Sequence, residues 1–104
     1  MSNVEHPKHY QECSIECIEA MIIAYGEDVV YDFCKCNAFK YLWRYKTKGG
    51  VESLDKGLWY CKKAQELDKS SAFEYDNDDI ERIKKIIETH KKKYIKEMGL
   101  LKNV

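Results

Sequence analysis

With 104 residues, the chain has room for one hydrophobic core, which excludes a second domain. Apolar residues make up 44% and charged residues 35%, with no apolar run near the roughly 18 residues a membrane span needs, so generic disorder and a transmembrane helix are both excluded. The 18 basic and 18 acidic groups cancel, which removes the electrostatic basis for general nucleic-acid binding.

Residues 1–12 are polar, hold the single proline and read as an extended N-terminal arm. A helical core is predicted over residues 13–68. In its first helix, Ile15, Ile18, Met21, Ile22 and Tyr25 recur at three- and four-residue steps until Gly26 stops the run. The chain restarts at Glu27 and Asp28, whose carboxylates favour a helix N-terminus. Val30, Phe33, Cys34, Asn37, Tyr41 and Tyr45 mark the apolar stripe of this second helix, which should run to about Lys48. Gly49-Gly50 breaks it. A third helix starts near Ser53, with Leu54, Leu58, Cys61, Ala64 and Leu67 on its buried face.

Residues 69–77 lack a helical period and read as a loop. Asp78 then suits an N-cap for a C-terminal amphipathic helix over 78–104, in which Ile80, Ile83, Ile87, His90, Tyr94 and Leu101 form a narrow seam. Its back is rich in lysine: Lys84, Lys85, Lys91, Lys92, Lys93 and Lys96. The pattern predicts an all-α fold, a small bundle of about four helices with an extended arm. The small core and the narrow seam predict a homo-oligomer, the seam fitting one partner helix of its own chain or of another subunit.

Charge is distributed in blocks. Residues 1–30 carry one basic and six acidic groups, 31–63 eight and three, 64–83 two and seven, and 84–104 seven and two. The basic second block either surrounds an anion or belongs to ordinary solvated helix faces. The five cysteines, with no secretory leader pattern ahead of them, predict a reducing cytoplasm and thiols used as small apolar core residues. Their spacing does not suit zinc, and no metal site is predicted.

Three places can carry chemistry. In the arm, Pro7 fixes the backbone between His6 and His9, with Tyr10 following, so two imidazoles and a phenol sit in one short segment able to close on a phosphate. On the second helix, Asn37, Lys40, Tyr41 and Arg44 share or border one face. An amide, an ammonium and a guanidinium presented together suit phosphate oxygens, and Trp43 beside them can stack on a base. The alternative is that Lys40 and Arg44 pair with Glu16, Glu19 or Asp55. The third place is the loop through Lys48, Gly49 and Gly50, where backbone amides can approach an anion, followed by Asp55, Lys56, Trp59 and Tyr60. No Walker loop is present. Glu16 and Glu19, with Asp55, are carboxylates able to hold magnesium if the protein is catalytic.

These motifs form a pattern: His6-Pro7-x-His9-Tyr10, Glu16-x-Ile18-Glu19, Asn37-Ala38-x-Lys40-Tyr41-Leu42-x-Arg44, Lys48, and Leu54-Asp55-Lys56-x-x-Trp59-Tyr60. The pattern covers about residues 5–63 and resembles a family of small bacteriophage proteins of unknown function, often labelled "nucleotide kinase" after a coliphage member. Two positions depart from it, Cys36 where the family often has Gly and Gly57 where it has Ala. The resemblance implies a phage protein acting on or holding nucleotides in the cytoplasm of the infected host. It implies phosphate or ligand contacts from His6, His9, Tyr10, Asn37, Lys40, Tyr41, Arg44 and Lys48, with Trp43, Trp59 and Tyr60 stacking on a base. Three functions follow as expectations. One is a nucleoside monophosphate kinase. The second is a non-catalytic sponge for a host nucleotide immune signal, such as a cyclic dinucleotide or an ADP-ribose derivative. The third, weaker one is a magnesium-dependent nucleotide pyrophosphohydrolase.

Overall fold

The computed structural model describes residues 17–70 and 77–99, and within them the chain is a small all-α bundle. Four helices fall among the described residues: α1 (Cys17–Tyr25), α2 (Glu27–Arg44), α3 (Gly50–Ser70) and α4 (Asp78–Glu97). The His-Pro-x-His-Tyr arm, Glu16, most of the 69–77 loop and Leu101 lie outside the described residues.

Helix α3 is the centre of the bundle, packing against α2 on one side and α4 on the other, while α1 packs against α2. Its buried side chains are Leu54, Cys61, Ala64 and Leu67, with Leu58 partly buried, so the predicted stripe is the real one. Helix α2 differs from expectation. Its buried residues are Val30, Tyr31, Cys34 and Ala38, with Tyr45 just beyond, whereas Phe33 is exposed and Asn37 is half-buried. Apolar and aromatic residues surround this helix, so periodicity alone does not single out its inner face.

Helix α2 ends at Arg44, earlier than Lys48, because the chain turns left-handed at Gly49 (φ 92°). A Cβ at Gly49 would meet Ser53 Cβ at 2.9 Å. The Arg44 carbonyl accepts from the amides of Thr47 (3.1 Å) and Lys48 (2.9 Å), and the Gly50 amide donates to the Tyr45 carbonyl (2.9 Å), which satisfies acceptors at the helix end. Helix α3 therefore begins at Gly50. Ser53 is not its cap: its hydroxyl, in a 3% exposed residue, donates to the Tyr41 carbonyl of α2 at 2.9 Å.

The seam of α4 faces its own chain. Ile80 and Ile87 are buried, Ile83 and Tyr94 pack on the same core, and these seam residues are packed within one protomer, which decides between the two expected partner helices. The Tyr45 hydroxyl and His90 Nδ1 are hydrogen-bonded at 3.0 Å, with Tyr94 edge-on to Tyr45 at 5.4 Å. Asn77, not Asp78, occupies the N-cap position of α4. The Tyr31 hydroxyl donates to Asn77 Oδ1 (2.5 Å), and Asn77 Nδ2 donates to Asp68 (2.8 Å), tying the start of α4 to α2 and α3.

Lys35 of α2 also holds this end, 2.5 Å from Asp79. Its hydrogen bond and charge keep the Asp79 carboxyl below the usual carboxylate range, against a smaller opposing effect of burial. The folded form thus has the lower pKa. The contribution is present above the unfolded value near about 4 and is lost as pH falls through the folded value. Lys35→Met should flatten the fall of the thermal midpoint below about pH 4 while leaving the neutral-pH fold intact, which a melting series over pH would check.

Cys34 and Cys61 are buried and reduced, and burial pushes both thiols up to about 11, whereas Cys17 and Cys36 are exposed. At pH 8 only about a thousandth of either buried thiol is thiolate. Alkylation followed by peptide mapping should mark Cys17 in the native protein, and Cys34 and Cys61 only after denaturation. Equal rates at all three would contradict this core.

Candidate functional site

The tightest gathering of charge in the described residues surrounds one ring. Tyr41 of α2 carries the Lys40 ammonium 4.9 Å, the Arg44 guanidinium 4.7 Å and the Lys56 ammonium 5.7 Å from its centroid. Lys40 and Arg44 belong to α2, whereas Lys56 reaches across from α3. Tyr60, one turn after Lys56, lies parallel to Tyr41 at 5.9 Å and 9°. Phe33 and Trp59 meet Tyr60 edge-on, at 6.1 and 4.9 Å. The result is a row of aromatic rings with a cationic end.

Gly57 makes this approach possible. A Cβ there would come within 3.3 Å of the Ala38 carbonyl, 3.6 Å of Tyr41 Cβ and 3.0 Å of Ile87 Cδ1. The glycine therefore lets α2 close on α3 beneath the rings, at a cost in helix propensity of about 1 kcal/mol relative to alanine.

Three cations on one ring repel one another, and exposed cation–π contacts offset only about 0.5 to 1 kcal/mol each. Among the described residues no carboxylate pairs with Lys40, Arg44 or Lys56. Asp55, adjacent to Lys56 in sequence, is engaged by Lys91 of α4 at 2.7 Å. The buried Arg44 Nε has no hydrogen-bond partner. An unsatisfied buried donor costs about 1 to 3 kcal/mol, and an anion seated at the guanidinium would remove that penalty together with the cation repulsion.

The structure sorts the predicted residues. Lys40, Tyr41, Arg44 and Tyr60 come together, with Trp59 against Tyr60 and Asn37 half-buried one turn before Tyr41. Trp43 does not join them. It stacks on Phe39 (6.0 Å, 27°) on another flank of α2 and is 79% exposed. Lys48 is exposed in the turn after α2, and Glu19 is exposed on α1. The alternative pairing of Lys40 or Arg44 with Glu19 or Asp55 is not made. At the glycine pair, the Gly50 amide is already bonded to the Tyr45 carbonyl, and a Cβ on Gly50 would be 3.1 Å from the Tyr94 hydroxyl. No group of three His, Cys, Asp or Glu side chains able to hold a metal occurs among the described residues. His6, His9, Tyr10 and Glu16 lie outside the described residues. Lys56 is the cation that helix periodicity could not assign to this group, because its place depends on how α3 lies against α2.

The family described as a protein of unknown function (DUF3310) matches residues 4–62, more than half of the chain. The chain belongs to this family. The DUF3310 match takes in α1, α2 and α3 as far as Lys62, and so includes every member of the Tyr41 cluster. It stops before α4, which supplies Lys91 to Asp55 and Tyr94 to Gly50. No curated protein and no solved structure matches the chain.

Proposed function

We propose that this is a nucleotide-binding protein, of phage origin and active in the cytoplasm of the infected host, that seats phosphate on Arg44, Lys40 and Lys56. The observation that carries the reading is the buried, unpartnered Arg44 Nε beside two lysines that no described carboxylate neutralises. Tyr60 and Trp59 supply apolar surface for a base or sugar next to the cations. The His-Pro-x-His-Tyr arm is the natural second clamp, because imidazolium donors suit phosphate near neutral pH.

Holding the nucleotide without transforming it is the form of the proposal the cluster favours. Cations and rings bind and orient a phosphate ester, and Asp55, the nearest carboxylate in sequence, is drawn away to Lys91. The family label of nucleoside monophosphate kinase is the alternative, and it would bring magnesium and a base from outside this cluster. Incubating the protein with mono-, tri- and cyclic nucleotides and ADP-ribose, then analysing the solution by chromatography before and after heating, separates the two. A ligand that disappears and returns intact on heating means sequestration. New products mean turnover. A panel left unchanged, with none of its members depleted, overturns nucleotide binding.

A further inference from the structure

Helix α2 carries a second apolar stripe on the side away from α3. Val29 is 50% exposed, Phe39 50% and Trp43 79%, and Cys36 between them is exposed as well, while Phe33 at the edge of the stripe turns its ring to Tyr60 of α3. At 3.6 residues per turn, Val29, Cys36 and Trp43 lie almost in line, with Phe39 on one flank. Buried Cys34 and Ala38 point to the opposite side. A helix apolar on two sides normally has both covered.

The stripe is symmetric about its own middle. Val29 and Trp43 stand seven residues either side of Cys36. The charges invert about the same point. Asp32 lies four residues before Cys36 and Lys40 four after, with Lys46 further on, and all three are exposed. A surface of this kind is complementary to itself when turned end for end, which is the condition for an isologous twofold contact.

We infer that α2 pairs antiparallel with α2 of a second copy of this chain, about a twofold axis passing at Cys36. Each Val29 then lies level with the partner's Trp43, the Cys36 side chains meet at the axis, and the acidic half of each helix runs beside the basic half of the other. Lys40 borders both this contact and the Tyr41 cluster, so two cationic sites sit at the edges of one subunit junction. The inference rests on the stripe and not on nucleotide binding.

The test uses the full chain at micromolar concentration. Light scattering should give a dimer, and Trp43→Glu, at a position too exposed to disturb the core, should halve the mass with an unchanged circular-dichroism spectrum. A short bis-maleimide should link Cys36 to Cys36 in the wild type and produce little covalent dimer from Cys36→Ser. Asp32→Lys should weaken the dimer, and Asp32→Lys with Lys40→Asp should restore it. A monomeric wild type, a dimer that survives Trp43→Glu, or cross-links that form without Cys36 would each overturn the arrangement.

Discussion

Ile87→Ala is expected to destabilise the chain by about 2 to 5 kcal/mol, the range for emptying a well-packed core site. Ile87 is fully buried, and its Cδ1 lies where a side chain on Gly57 would have to go, so it fills the closest junction of α3 and α4 with no room to spare. For a domain of this size, that loss corresponds to a fall in thermal midpoint of roughly 10 °C or more. Ile86→Ala, one residue away but 41% exposed, should change stability by no more than about 0.5 kcal/mol. Because the seam closes within one protomer, the drop caused by Ile87→Ala should be the same at low and high protein concentration. A drop that vanishes on dilution would return the seam to a subunit interface.

That contrast shows what could be read from the residues alone. Periodicity identified α3 correctly because Leu54, Cys61, Ala64 and Leu67 form its only strong apolar stripe. It identifies Ile80, Ile83, Ile87 and Tyr94 as one face of α4 but leaves their partner open, since spacing says which side chains share a face and not what that face meets. Helix α2 is harder to read because it has two apolar faces: Val29 and Trp43 belong to the outer one, Tyr31 and Ala38 to the inner, and Phe33 at the edge reaches Tyr60 of α3. Glycines were dependable as breaks, at Gly26 and Gly49, because both require a left-handed backbone.

The candidate site was legible to the same extent. Lys40, Tyr41 and Arg44 are neighbours on one helix, so their spacing was enough. Lys56 and Tyr60 join them only because Gly57 lets α3 lie close, and Asp55 leaves them only because Lys91, on a helix far along the chain, reaches it first. Neither relation has a local signature. The sequence also offers Trp43 as a ring next to Arg44, but two residues past Tyr41 is more than half a turn of helix, and its side chain belongs to the outer stripe.

Arg44→Ala is expected to weaken nucleotide binding by about 1.5 to 3 kcal/mol, roughly 10- to 150-fold in Kd, while leaving the fold in place. The guanidinium is half-buried over the Tyr41 ring, its Nε lacks a protein partner, and both nearby cations repel it, so its removal should cost the empty protein little beyond the packing of its stem. Arg44→Lys keeps the charge but loses the paired donors, and should fall between wild type and Arg44→Ala. Raising salt should weaken wild-type binding more than that of Arg44→Ala, since one fewer charge then contributes. Calorimetry at two ionic strengths measures all three effects. Unchanged affinity in Arg44→Ala would remove the guanidinium from the site. A loss of helicity in the ligand-free variant would instead make Arg44 a support for the α2–α3 junction, with phosphate recognition left to Lys40 and Lys56.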